Sequence, residues 1–141
     1  MLKKIFGIVT ILGVSLGVSI NSTSAASAPP LTTLEVKEVQ SELGGTESIT
    51  ASQTTTTKDH GGSFMYITTF QKGYSSSKTA TFDGTILTLI ASTPVDVDGD
   101  TIVDGFLYKW NASGKQSGLF KYQATSQNSP WNTMSDTLNI Q

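Results

Sequence analysis

Apolar side chains fall at every second position along much of this chain, and short clusters of turn-forming residues punctuate the pattern. A period of two is the repeat of a strand with one buried and one wet face. Leu34-Glu35-Val36-Lys37 alternates apolar with charged residues. Phe106, Tyr108 and Trp110 share one face of a strand-like segment, and Phe120, Tyr122 and Ala124 alternate with Lys121 and Gln123. Residues 64–70 are dense in aromatic and β-branched side chains. Threonine is abundant beyond residue 30, and its branched Cβ suits a pleated, half-exposed surface. Few stretches carry the 3.6-residue spacing of an amphipathic helix. The pattern predicts an all-β domain, an antiparallel β-sandwich or small barrel of about eight short strands.

The punctuation places the turns. Pro29-Pro30 reads as a stiff extended arm, and Gly44-Gly45 ends the first strand. Residues 48–57 are polar and threonine-rich, fitting an edge strand or, over Thr54–Thr57, a linker. Asp83-Gly84 joins strand-like residues 80–82 and 85–90, and both turn residues tolerate positive φ, so a two-residue hairpin is expected. Residues 72–77 read as a loop and 111–118 as a turn cluster. A long loop through Pro130-Trp131 leads to a last short strand near Leu138 and Ile140.

The N-terminus is built differently. Lys3 and Lys4 precede an uncharged apolar run over residues 5–20, and a small-residue segment over 21–28 follows. That order is the pattern of a secretory signal peptide. Small residues at −3 and −1 put the mature start at Ala26 or Ser27, so residues 1–26 are read as signal and 27–141 as one secreted domain. The apolar run is too short and too glycine-interrupted to favour a membrane span, which needs about 20 apolar residues. The expectation is an extracellular protein with no integral membrane segment in its mature form.

Composition narrows the chemistry. The 141-residue chain has a formal charge of −2, and loss of Lys3 and Lys4 makes it −4. Nucleic-acid binding demands a basic stripe, so that class is set aside. There is no cysteine, which removes disulfide staples, thiolate metal sites and thiol catalysis together. The fold must hold by burial and strand pairing.

Asp96-Val97-Asp98-Gly99-Asp100-Thr101-Ile102-Val103-Asp104-Gly105 is the sharpest motif. Asp96, Asp98, Asp100 and Asp104 have the spacing to converge on a hard cation, with a backbone carbonyl adding an oxygen. The run is similar to the calcium loops of thrombospondin type-3 repeats, which implies a weak calcium site. Thr101 stands where those loops carry glycine, and Leu107 fills a slot that supplies a bidentate acid in EF-hands. The other reading is a hairpin turn at Asp98-Gly99 between residues 90–95 and 101–110, with solvated aspartates. Calcium is the one cofactor that the sequence offers.

His60, the single histidine, follows Asp59. Neighbouring strand residues point to opposite faces, so the pair does not make an acid–base relay. With no G-x-S-x-G elbow, no catalytic residue is assigned, and His60 is expected in an exposed loop. Phe106, Tyr108 and Trp110 fit either a sugar platform or the core, with core favoured. Trp131, in a polar loop behind Pro130, is the better candidate for an exposed contact.

Pro29-Pro30-Leu31, Asp59-His60-Gly61-Gly62-Ser63-Phe64-Met65-Tyr66 and Gly73-Tyr74-Ser75 resemble small secreted proteins of the YolA type from Bacillus-like bacteria. The resemblance implies export and brings no activity with it. Gly61-Gly62, Phe64 and Tyr66, followed by Tyr74-Ser75-Ser76-Ser77-Lys78-Thr79-Ala80-Thr81, are similar to the lactococcin-type bacteriocins. That similarity covers about a fifth of the chain and implies a cysteine-free, exported β-sandwich that interferes with cell-wall synthesis. Trp131, Tyr74 and His60 are the candidate binding residues, the last two lying in the shared segments. The expected function is a non-enzymatic protein acting at or near the cell envelope, antibacterial in the leading form. Its partner would be an envelope component or another extracellular protein. A calcium-stabilised module binding cell-wall glycan or extracellular polysaccharide is the alternative, and a small secreted hydrolase is the third class.

Overall fold

The structure, a computed structural model, describes residues 27–141; the expected signal segment lies outside them. Among the described residues there are nine strands and no helix. They are β1 (Thr33–Ser41), β2 (Gly45–Ser48), β3 (Met65–Lys72), β4 (Ser75–Phe82), β5 (Thr85–Ile86), β6 (Thr88–Val95), β7 (Gly105–Asn111), β8 (Gly118–Ser126) and β9 (Thr133–Ile140). A five-stranded sheet has the order β2-β1-β3-β7-β6 and a four-stranded sheet the order β5-β4-β8-β9. Every ladder is antiparallel. Neither sheet closes on itself, so the fold is a sandwich and not a barrel.

The alternation sorts residues as a sandwich requires. Met65, Ile67, Thr69 and Gln71 of β3 face inward, as do Phe120, Tyr122, Ala124 and Ser126 of β8. Leu34, Val36 and Val39 join them from β1, where a bulge at Lys37 resets the register between Val36 and Glu38. Tyr108 and Trp110 are core residues and Phe106 packs against the core, so the aromatic face of β7 is interior. Full burial of an aromatic or aliphatic side chain contributes roughly 1.5–3 kcal/mol, and in a cysteine-free chain this supplies the cohesion. Buried polar atoms need partners. Trp110 Nε1 donates to Thr69 Oγ1 at 2.9 Å, and the Tyr122 hydroxyl donates to Gln71 Oε1 at 2.7 Å.

Several turns differ from expectation. Asp83-Gly84 is the expected hairpin, with φ of +47° and +80°, but residues 85–90 are not one strand. The chain changes sheets at the buried Leu87, whose N–H bonds Ala80 O at 2.9 Å, leaving β5 in one sheet and β6 in the other. Residues 72–77 shrink to a Gly73-Tyr74 link between β3 and β4. A side chain on Gly73 (φ +95°) would collide with the Pro30 carbonyl, so glycine lets the N-terminal arm lie against the turn. Of residues 48–57, Ser48 ends the edge strand β2, and the rest are neither edge strand nor free linker. Thr55 bridges Asn139, and the Thr56 and Asn139 N–H groups exchange bonds with Asn139 O and Thr54 O.

Antiparallel register gathers connections at two opposite ends. Thr33, Lys72, Gly105 and Val95 lie in one row across the five-stranded sheet, and Ser75, Ser126 and the start of β9 lie at the same end of the other. The N-terminal arm, the Gly73-Tyr74 link and loops 96–104 and 127–132 therefore share one end. Loop 49–64 lies at the other.

Candidate functional site

Tyr74 is the hub of the first end. Its N–H bonds Pro29 O at 3.0 Å, its carbonyl accepts from Gln127 N at 2.9 Å, and its hydroxyl donates to Val103 O at 3.1 Å. Its ring meets Phe106 edge-on at 5.1 Å. One half-buried tyrosine thus ties the N-terminal arm to both flanking loops.

Loop 96–104 is longer than a two-residue turn because β7 begins at Gly105, and its aspartates organise it from within. Asp96 accepts from Gly99 N at 2.6 Å and from Thr101 N at 2.8 Å. Asp98 accepts from Asp100 N at 3.2 Å, and Asp100 from Ile102 N at 2.8 Å. The Thr101 N–H is the main influence holding the Asp96 carboxyl below its usual range, with further help from the Gly99 N–H. Thr101, at the position where calcium loops have glycine, adopts φ +72°. That region is an outlier for a β-branched residue, and its bond to Asp96 holds it there. Carboxylate oxygens of Asp96, Asp98 and Asp100 lie within 4.8 Å of one another, so these three have the geometry to hold a cation. Asp104 stands apart at the loop base. It accepts from Val97 N at 2.7 Å and pairs with Lys72 at 3.6 Å.

Exposed apolar side chains crown the same end. Trp131 is 64 % exposed, Ile102 is 64 % exposed, and Val97 is exposed beside the aspartates. Trp131 sits at φ +59° with its N–H on Asn128 O at 2.9 Å. Next to it, Asn132 Oδ1 is buried with no partner among the described residues.

His60 corrects the expectation of an exposed loop residue: it is 3 % exposed and lies at the opposite end. Nδ1 stands 2.8 Å from Ser41 Oγ and Nε2 stands 3.1 Å from Glu47 Oε2. A carboxylate only accepts, so Nε2 carries a proton and donates to Glu47. Glu47 also takes the Gln53 amide at 2.8 Å, Thr57 N at 2.7 Å, Thr57 Oγ1 at 3.1 Å and Lys58 N at 3.1 Å. Burial pushes the Glu47 carboxyl up, but these donors, Thr57 N foremost, outweigh it and hold it at about 2.

The sequence of contacts is serine, histidine, acid, as in a hydrolase relay. Here it is sealed. Ser41 is 2 % exposed, its Oγ accepts from Gly44 N at 3.0 Å, and Gly44 packs against the imidazole so closely that a side chain there would collide with it. The cluster clamps loop 49–64 onto β1 and β2. Sequence reasoning missed Ser41 and Glu47, because a contact between residues so far apart along the chain leaves no local pattern.

Tyr74, Trp131 and the aspartate trio are therefore brought to one end, and His60 is not. A comparison with curated proteins returns no match. The family model described as "Domain of unknown function (DUF4879)" matches residues 25–140, taking in every strand of both sheets and both ends, and the chain belongs to that family.

Proposed function

We infer that this is a non-enzymatic extracellular protein that acts at or near the cell envelope and meets its target with the Tyr74 end. One observation carries the reading: exposed Trp131, Ile102 and Val97 gather on loops tied to a rigid sandwich through Tyr74. Binding residues concentrate on loops held by such scaffolds, and exposed tryptophan is favoured at contact surfaces. The sealed Ser41–His60–Glu47 cluster supports a binding role over hydrolysis. Export is supported by Lys3, Lys4 and the apolar run after them. Interference with competing bacteria is the form of action that the lactococcin-type resemblance implies.

Co-sedimentation of purified residues 27–141 with isolated bacterial envelopes tests this. The wild type is expected in the pellet, and Trp131→Ala and Ile102→Ser should release it with unchanged melting temperature. Equal sedimentation of all three proteins, or none by the wild type, would sink the reading. Growth inhibition across a bacterial panel then separates an antibacterial protein from a passive binder.

A further inference from the structure

The outer face of the four-stranded sheet carries a second feature, remote from the Tyr74 loops in its chemistry and independent of the reading above. In the β4–β8 ladder Thr81 lies opposite Lys121 and Thr79 opposite Gln123. These four side chains line a cavity of about 250 Å³. Its origin is a contrast in length. Long side chains on β8 rise beside short ones on β4, and Thr137 and Ser135 are the short neighbours on β9.

Three properties separate this trough from an ordinary wet sheet face. It is concave. None of the four lining side chains hydrogen-bonds another described residue, whereas all four aspartates of loop 96–104 are occupied by their own backbone. Its one charged wall is cationic, in a chain of net negative charge. Nearby carboxylates are turned elsewhere: Asp136 accepts from Val36 N at 2.8 Å and Asp83 from Leu119 N at 2.8 Å.

We propose that this trough binds an anionic sugar residue of an extracellular polymer, with Lys121 on the acidic group and Gln123, Thr79 and Thr81 on hydroxyls. An ammonium group strengthens a hydrogen bond to an anion, while an amide and two hydroxyls offer the mixed donors and acceptors that a polyol needs. No aromatic ring lines the trough, so a neutral sugar gains no stacking there. The volume lies below the roughly 300–1,000 Å³ of typical small-molecule sites, which fits one sugar unit. The open sheet face lets a chain continue beyond it. The acidic group can be a uronic carboxylate or a sugar phosphate, and the two are separated by experiment.

NMR titration of residues 27–141 with glucuronate, glucose 6-phosphate, glucose and inorganic phosphate provides the test. Glucuronate or glucose 6-phosphate is expected to shift the amides of Thr79, Thr81, Lys121 and Gln123, and the stronger of the two names the acidic group. Lys121→Met should weaken that binding about tenfold at unchanged melting temperature, and Trp131→Ala should leave it intact. No shift with either anionic sugar overturns the proposal. An equal response to glucose overturns the need for charge, and an equal response to inorganic phosphate overturns the need for a sugar. Envelope binding that survives Lys121→Met but not Trp131→Ala would leave the loop reading standing and this one not.

Discussion

Two regions of this molecule use carboxylates in the same chemical way and to different physical effect. At one end Glu47 accepts hydrogen bonds from residues 53–60, buried beneath the loop that it holds. At the other, Asp96, Asp98 and Asp100 accept N–H groups from two to five residues away, in water. A buried acceptor carries weight because its removal strands several donors that solvent cannot reach. An exposed acceptor is replaced by water. The Glu47 end is therefore the stability element of this fold, and the aspartate loop is a shaped surface.

Glu47→Gln should break that contrast most visibly. The amide presents a donor where the site needs acceptors for Thr57 N, Lys58 N and His60 Nε2, so a loss of about 3 kcal/mol is expected by urea unfolding. His60→Ala should cost less, since Glu47 keeps its remaining donors. A loss no greater than that of a surface substitution would remove the clamp.

Acid sharpens the same point. The Glu47 carboxyl is depressed from its ordinary 4.5 to about 2 in the fold. A depressed carboxylate contributes stability that is fully present above its unfolded value and is lost as pH falls through the folded one. Unfolding free energy should thus drop between pH 4.5 and about 2, and Glu47→Gln should flatten that slope. An equal slope in the variant would assign the acid response elsewhere.

The strand content was legible because burial on one face writes itself into every second residue. Met65, Ile67, Phe120 and Tyr122 follow that rule, and Asp83-Gly84 announces its turn through backbone tolerance alone. The Ser41–His60–Glu47 cluster was not legible. Its members meet only after β1, β2 and loop 49–64 fold together, and a polar loop histidine looks the same exposed or buried. Residues 85–90 show a second limit: alternation says that a segment is extended, not that it stays in one sheet. The trough at Thr79, Thr81, Lys121 and Gln123 depends on the register between β4 and β8, which no local pattern encodes. At the Tyr74 end the candidate residues themselves were readable, since aspartate spacing and an isolated tryptophan are local features, but their common location was not.

Loop 96–104 offers a smaller effect of opposite sign. Thr101 holds φ +72°, where a β-branched residue is disfavoured by roughly 1–2 kcal/mol and glycine is at ease. Thr101→Gly should therefore raise stability by about 0.5–1 kcal/mol after the extra chain entropy of glycine is subtracted, measured by thermal melting. A loss on substitution would mean that the threonine side chain, not the backbone bond to Asp96, holds the loop.

Calcium tests whether the loop is more than a surface, and the expected shift is the smallest of the set. Asp96, Asp98 and Asp100 already accept backbone N–H groups, so the loop keeps its shape without an ion, and a cation has no folding step to complete. A ligand that binds only the native state must still raise stability by an amount set by its affinity and concentration. A site in the ~10⁻⁴–10⁻³ M range of weak extracellular loops would gain roughly 1.4–2.7 kcal/mol in ~10 mM calcium, more than Thr101→Gly does. The self-closed loop is expected to fall short of that and to shift the melt by less than Thr101→Gly. Asp96→Ala should abolish whatever shift exists. Losing its bonds to Gly99 N and Thr101 N lowers the melt, and that lowered melt should be the same in calcium and in chelator. A calcium shift larger than the Thr101→Gly gain, lost in Asp96→Ala and kept in Asp104→Asn, would turn the loop from a self-closed turn into a three-carboxylate cation site.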